Sequence, residues 1–439
     1  MNKVAVVGMG YVGIPVAAII ADSGISTIGV DIDEGKVDSI NSGKYPIEGF
    51  EPGIEELIER VVGNGMLKAT VDYEQARDSD IWMICVQTPF DTSEMRPNFK
   101  ALSGAIKKIG SVMKKGSVVI VESTIPPGTM SGDVKRWLEG ESGLIAGEDF
   151  GLGHCPERVM PGRLIENLTS YGRAIGGIDE ETHRVMGEIY AKITSGKLTK
   201  VDMKTAEVVK TFENTYRDAE IAIANDFAKY CDAIGVDFFE VRDMVNTVES
   251  RNLHFPGGGV GGHCIPKDTW LLAHGSRGKY VPEFLIKSRE VNDSMPEYVL
   301  GLMTEGGIRL GLDLNNCKVG ILGLSYLEES DDIRNSPTLS LVEKMEGLGC
   351  EIIVHDHYVD RCEDVVLTES LDEAIDGSDV VIMMVAHNLY KSLNLSEIKE
   401  KMRTPLIIDA RNVFSIEDLR NSELDYFSIG RGNSFSDFQ

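Results

Sequence analysis

Residues 4–13 read VAVVGMGYVG. Four apolar residues suited to a buried strand run straight into Gly8-x-Gly10-x-x-Gly13, and a helix is expected to follow. Strand, glycine turn and helix in this order form the opening of a dinucleotide-binding βαβ unit. Gly8 makes the tight turn, Gly10 lets the main chain approach a pyrophosphate, and Gly13 lets the helix pack closely. Tyr11 and Val12 complete the turn, and the helix start offers its amides to phosphates. Asp31 ends the next apolar run, in GVDID, at the spacing where an acid accepts hydrogen bonds from both ribose hydroxyls. A carboxylate there repels a 2′-phosphate, so NAD is expected rather than NADP.

Outward from this turn, apolar runs and amphipathic stretches keep alternating. Thr27 to Val30, Ile81 to Val86 and Val118 to Val121 read as buried parallel strands, with helices over Gly53 to Val62 and Phe99 to Met113. The alternation predicts an α/β, doubly wound domain over residues 1–200. Thr88 and Pro89, then Glu122, Ser123 and Thr124, follow later strands, where crevice residues of such sheets lie. From Met203 to Ala233 there is no Pro or Gly, and apolar residues recur at three- and four-residue intervals. This predicts one long helix. Further helices are expected over Phe238 to Val248 and Glu283 to Leu310, giving a central helical domain at 201–311. A second Rossmann-like domain, 312–439, opens with KVGILGLSY at Lys318. Its further strands are Cys350 to Val354, Val380 to Val385 and Leu406 to Asp409, and the tail GRGNSFSDFQ reads as frayed.

The chain has 439 residues, 42% of them hydrophobic, and a formal net charge of −26. Nucleic-acid binding needs clustered Lys and Arg and is disfavoured. An anionic substrate would need local cations to overcome the overall field. The cysteines number seven, with no CxxC pair. This argues against a disulfide framework and a zinc ribbon and suits a reducing compartment. No run suits a signal peptide or a membrane span, so a cytoplasmic protein without a membrane partner or a metal is expected.

The segment Gly257-Gly258-Gly259-Val260-Gly261-Gly262-His263-Cys264-Ile265-Pro266-Lys267-Asp268 stands apart. Five glycines in six residues cost conformational entropy without serving a core. Cys264 leaves this loop at an expected helix start with Lys267 nearby, a setting that favours the thiolate and a nucleophilic role. Lys210 and Asn214, one turn apart on the long helix, can stabilise an alkoxide or an oxyanion.

The motifs GMGYVG, VQTP, ESTIPPGT, HCPERVMPG, KTFEN, GGHCIPKD and SDDIRNSP occur in order along nearly the whole chain. Together they resemble the UDP-glucose/GDP-mannose dehydrogenase family. The resemblance implies two NAD-dependent oxidations of a UDP-sugar to a uronic acid. Cys264 would be the nucleophile, and Lys210 and Asn214 would hold the oxyanion. Asp268 would orient water and Lys210, while Glu157 and Thr124 would help position the hydrolytic water. Arg158, Gly261, Tyr326 and Arg334 would contact the substrate, with Arg251 reaching in from a partner subunit of a homodimer or larger homo-oligomer. HCPERVMPG and GGHC are similar to the branch acting on UDP-N-acetylmannosamine, whereas Lys267-Asp268-Thr269 looks more like the UDP-glucose type. Leu327 stands where many members carry a Lys near the nucleotide. A UDP-glucose or UDP-N-acetylglucosamine 6-dehydrogenase is the alternative within the family. Outside it stand a two-electron 3-hydroxy acid dehydrogenase, which needs no cysteine, and a non-catalytic NAD-binding protein.

Overall fold

A computed structural model describes residues 3–47, 51–159, 162–422 and 424–432. Met160 and Pro161 of the HCPERVMPG motif, and the tail from 433 read as frayed, lie outside the described residues. The chain forms two compact units, Met1–Asn214 with Lys267–Val281, and Thr215–Pro266 with Pro282–Gln439.

Among the described residues, the first unit is built on an eight-stranded sheet. Its strands are β1 (Lys3–Val7), β2 (Ser26–Val30), β3 (Leu67–Thr70), β4 (Ile81–Ile84), β5 (Val118–Val121), β6 (Gly151–His154), β7 (Arg173–Gly177) and β8 (Leu198–Val201). They lie in the order β8-β7-β6-β5-β4-β1-β2-β3. The order reverses at β1, which places a crevice at the strand ends where Gly8 and the chain after β4 emerge. All neighbours pair in parallel except β6 with β7. Alternate residues of β1 enter opposite cores: Val4 and Val6 join Ile14 and Ile20 of helix α1 (Gly13–Asp22), and Ala5 and Val7 join Ile106 and Ile109. Burial on both faces explains why the strand reads as a continuous apolar run, each Val or Ile contributing about 1.5–3 kcal/mol.

The long helix α2 spans Met203–Ile234, as the periodicity predicts, and stops where Gly235 turns left-handed at φ +72°. Helix α3 (Phe238–Val245) ends before the expected Val248. After α4 (Ile265–Gly275), the single helix expected over Glu283 to Leu310 is instead two, α5 (Glu283–Asp293) and α6 (Met295–Leu310). Pro296 in the first turn of α6 explains the break, since it lacks an amide donor and its ring clashes with a preceding helical turn.

The second unit carries a parallel sheet of six described strands in the order β11-β10-β9-β12-β13-β14. These are β9 (Lys318–Leu322), β10 (Glu351–His355), β11 (Leu367–Thr368), β12 (Val380–Met383), β13 (Leu406–Asp409) and β14 (Asp425–Ser428). Val319, Ile321, Ile382 and Ile408 pack with Ala224 and Ala228 of α2 and with Met295, Val299 and Met303 of α6. Among the described residues no helix is long and apolar enough to cross a membrane.

Candidate active site

The glycine turn of the first unit has the geometry its spacing predicts. Gly8 is left-handed at φ +92°, and its amide donates to Val30 O at 2.8 Å. A Cβ on Gly13 would stand 1.9 Å from Gly8 O, so helix and turn can meet only through glycine. A Cβ on Gly10 would meet nothing within 4 Å. That open side is where a pyrophosphate can approach the amides near Tyr11 and Val12. Asp31 follows β2, its carboxylate accepting Met9 N at 2.6 Å and Asp33 N at 3.0 Å. Each carboxylate oxygen keeps acceptor capacity for a ribose hydroxyl. These residues fit NAD.

Beside this turn, Thr88 Oγ1 donates to Thr124 O at 2.6 Å, tying the loops after β4 and β5 together, with Pro89 next in the chain. Glu122 departs from its expected place at the cofactor. It is fully buried, accepts Tyr190 Oη at 2.6 Å and lies 3.8 Å from Cys85 Sγ. Burial pushes its carboxyl up. An acid after a strand reads as a crevice residue in sequence, but β5 ends one residue before it and the side chain turns into the core.

The same unit gathers two ion-paired groups. Lys210, on α2, is 4% exposed, and its Nζ lies 3.8 Å from Oε1 of buried Glu157. The other oxygen of Glu157 accepts Val159 N at 2.7 Å. One turn along α2, Asn214 donates to Asp268 of α4 at 2.5 Å, and Asp268 also takes Lys267 Nζ at 2.6 Å. The Lys267 charge is therefore matched by Asp268 rather than left unmatched next to Cys264. Arg158 is also committed, to both oxygens of Glu213 and to Gly172 O, which argues against the expected substrate contact. The stacked pair Phe90–Trp270, with centroids 6.5 Å apart, helps hold α4.

Sequence reasoning missed Glu207, which is 1% exposed on α2 and accepts Gly128 N at 2.6 Å and Met130 N at 2.7 Å. It fixes the turn that follows Thr124. Burial pushes its carboxyl from an ordinary 4.5 up to about 7, outweighing the two amide donors that lower it. The folded chain thus keeps a proton that the unfolded chain releases between those values. The resulting stabilisation is fully present below about 4.5 and is lost as pH rises through about 7. It amounts to about 3 kcal/mol, at about 1.4 kcal/mol per pH unit. Glu207→Gln cannot ionise, so its unfolding free energy should lose this slope. A wild-type minus variant difference that stays constant from pH 4.5 to 8 would refute a neutral Glu207.

In the second unit the glycine loop is packed where side chains will not fit. A Cβ on Gly258 would reach Met384 at 2.9 Å, on Gly259 Pro337 at 2.9 Å, and on Gly261 Tyr326 at 2.5 Å. Gly262 N donates to Arg334 O at 2.8 Å, and Asn335 Nδ2 donates to Gly262 O at 3.0 Å. Cys264, half-buried, comes two residues later and directly precedes α4. All seven cysteines are thiols. The exposed guanidinium of Arg334 is oriented by Asp332 at 2.9 Å, so the structure brings Gly261, Tyr326 and Arg334 together around the loop. Arg251 is exposed and bonded to Ser250 Oγ at 2.9 Å, and Leu327 is 40% exposed. Arg411, also missed, follows β13 and bonds Glu328 at 2.9 Å, its guanidinium 3.2 Å from where a Gly257 Cβ would be. Its position after a parallel strand was the available signal.

Comparison with known proteins agrees with this arrangement. Residues 2–194 match the NAD-binding domain of the UDP-glucose/GDP-mannose dehydrogenase family, 204–294 its central domain and 320–416 its UDP-binding domain. A UDP-N-acetyl-D-mannosamine dehydrogenase of Pyrococcus horikoshii is 38% identical over 412 residues, covering 94% of this chain and 96% of that protein. A solved UDP-D-ManNAc dehydrogenase structure from Pyrococcus horikoshii superposes with a TM-score of 0.92 at 37% identity, covering 98% and 100% of the two chains. An NDP-N-acetyl-D-galactosaminuronic acid dehydrogenase structure from Methanosarcina mazei gives a TM-score of 0.89 at 36% identity, covering 99% and 96%.

Proposed function

Because the chain belongs to the UDP-glucose/GDP-mannose dehydrogenase family, and is an NAD-dependent nucleotide-sugar dehydrogenase, we propose a specific reaction for it. It oxidises the C6 hydroxymethyl of UDP-N-acetyl-D-mannosamine twice, to UDP-N-acetyl-D-mannosaminuronate, through a thioester on Cys264. The observation that carries the covalent route is the placement of Cys264, accessible at the end of a fixed glycine loop and at the start of α4. The choice of sugar is supported by the 38%-identical relative from Pyrococcus horikoshii, which is named for this substrate.

Gly8 to Gly13 and Asp31 would hold NAD, which would supply the hydride acceptor for both oxidations. The alcohol loses a proton and a hydride to give the aldehyde, and Lys210 and Asn214 stabilise the alkoxide. Cys264 Sγ adds to the aldehyde carbon, forming a C–S bond and a thiohemiacetal. Loss of a second hydride leaves the thioester. Water, positioned by Glu157, Thr124 and Asp268, attacks the carbonyl, the C–S bond breaks and the thiolate is restored. In sum, one alcohol, one water and two NAD give one carboxylate, two NADH and three protons.

The test is a panel of UDP-N-acetylmannosamine, UDP-N-acetylglucosamine and UDP-glucose read by NADH release. Two NADH per sugar are expected, with the first substrate preferred. A large preference for UDP-glucose, toward which Lys267-Asp268-Thr269 points, would overturn the sugar. One NADH per substrate would overturn the covalent route, and NAD binding without turnover would point to a binding protein.

A homodimer is part of the proposal. Tyr216, Ile223, Phe227, Tyr230 and Ile234 line one exposed face of α2, while Ala224, Ala228 and Cys231 on another face are buried. An exposed aromatic stripe at helical spacing suits a self-complementary contact with a second copy. Arg251, supplied in trans, gives a direct test. Mixing Cys264→Ala with Arg251→Ala subunits should restore activity at about a quarter of the sites. No recovery after subunit exchange would overturn the shared site.

A further inference from the structure

A loop of five glycines has almost no side chains with which to hold itself, so its position must be set through its main chain. The tether at its start is wholly buried. Gly257 N donates to Oδ1 of Asn225, on α2, at 2.9 Å. Asn225 Nδ2 donates to Asn292 Oδ1 at 2.8 Å. Asn292 Nδ2 donates to Asp218 O at 2.8 Å and to Asp218 Oδ1 at 2.7 Å. Arg289 donates to the same carboxylate oxygen at 2.7 Å. Asn225, Asn292 and Asp218 are each 0% exposed and Arg289 is 1%.

The direction of donation in this chain is forced. An ionised Asp218, matched by Arg289, only accepts, so Asn292 must turn its NH2 toward it. That leaves Asn292 Oδ1 facing Asn225, whose NH2 must point there in turn. Asn225 Oδ1 is then aimed at Gly257 N–H. A buried ion pair thus fixes the rotamers of two amides and, through them, the start of the glycine loop. The tethers at the other end join buried Gly262 to Arg334 O and Asn335 Nδ2, both on exposed residues, whereas every side chain of the tether at Gly257 is buried. Water cannot reach the Gly257 amide so easily, and leaving such a group unpaired costs about 1–3 kcal/mol.

We infer that Asn225 is a positioning residue for the reaction: it sets the glycine loop, and through it the placement of Cys264. This inference rests on the proposed use of Cys264. It is tested on the full-length enzyme with Asn225→Ala, with Asn292→Ala, which removes the group that aims the Asn225 amide, and with Tyr298→Phe as a control that removes a different hydrogen bond onto α2, to Asp232 at 2.7 Å. Three quantities are measured: melting temperature, kcat and KM for the sugar nucleotide, and the pH–rate profile of Cys264 alkylation by iodoacetamide, followed at the peptide level.

All three variants should melt at lower temperature. Asn225→Ala should lower kcat about ten- to a hundred-fold, as expected for a misplaced reacting group, with KM within about three-fold. Its alkylation profile should also change, and Asn292→Ala should move kcat and the profile the same way to a smaller extent, while Tyr298→Phe keeps both within about two-fold of wild type. Equal loss in Tyr298→Phe, or a wild-type kcat and profile in folded Asn225→Ala, would overturn the inference. The alkylation comparison needs no turnover. It therefore still decides on the tether if Cys264→Ala retains full activity and the thioester reading itself fails.

Discussion

Cys264→Ala is expected to abolish conversion of the sugar to its acid, lowering turnover on the order of a thousand-fold or more. The predicted size follows from what the thiol does. Without the C–S bond the first product is an aldehyde, which carries no leaving group for hydrolysis and must be hydrated before a second hydride can depart. NADH per sugar should fall from two toward one, or turnover should cease if the aldehyde stays bound. Five of the other six thiols are poorly suited to take over, since burial pushes Cys85, Cys155, Cys231, Cys317 and Cys350 up and keeps them protonated. The measurement is product analysis with NADH counted against sugar consumed. Retention of two NADH per sugar would remove the covalent route and leave a chemistry in which the glycine loop serves binding alone.

Much of this arrangement is legible in the sequence because its causes are local. The turn at Gly8 depends on three glycines within six residues, and the long helix depends on an uninterrupted period without Pro or Gly. Cys264 stood out because five glycines lead into it, although the expectation that they serve no packing fails: four are buried, against Arg411, Met384 and Tyr326. What was not legible depends on partners far away in the chain. Asn225 and Asn292 look like ordinary polar residues on helices, and only burial of both reveals that one orients the other. Arg158 read as a substrate contact because its motif precedes any knowledge of Glu213, 55 positions away, which occupies its guanidinium. Glu207 gave no signal because its partners are main-chain amides, which any sequence supplies.

The two glycine turns show how like sequences can diverge in use. In the second unit Gly323 is left-handed at φ +103° and donates to His355 O at 2.8 Å, as Gly8 does to Val30 O. Asp356 follows β10 and accepts Leu324 N at 2.6 Å, matching the Met9–Asp31 bond of the first unit. The acids then differ. Asp31 stays part-exposed, whereas Asp356 is 3% exposed with His387 Nε2 at 3.2 Å. An acid closed off in this way cannot accept ribose hydroxyls. The second turn also lacks glycines where Gly10 and Gly13 stand in the first, so its fold persists without the dinucleotide function.

Replacing Lys210 with Ala should reduce kcat by about two to three orders of magnitude, the range for losing one fixed donor aimed at developing negative charge. A second effect accompanies it and must be separated. Lys210 and Glu157 are both buried, 4% and 7% exposed, so removing the cation leaves a carboxylate without its counter-ion. Breaking such a pair costs about 3 kcal/mol of stability. Lys210→Arg would not restore the site, because a planar fork replaces a compact ammonium in a space closed on nearly every side. The separation comes from Lys210→Ala combined with Glu157→Gln. The double variant has no unmatched charge, so its melting temperature should recover most of what the single variant loses. Activity should not recover, because neither an ammonium for the oxyanion nor a carboxylate for the water is present. If kcat returns along with stability, Lys210 is a structural counter-ion, and the oxyanion must be held by Asn214 and main-chain donors instead.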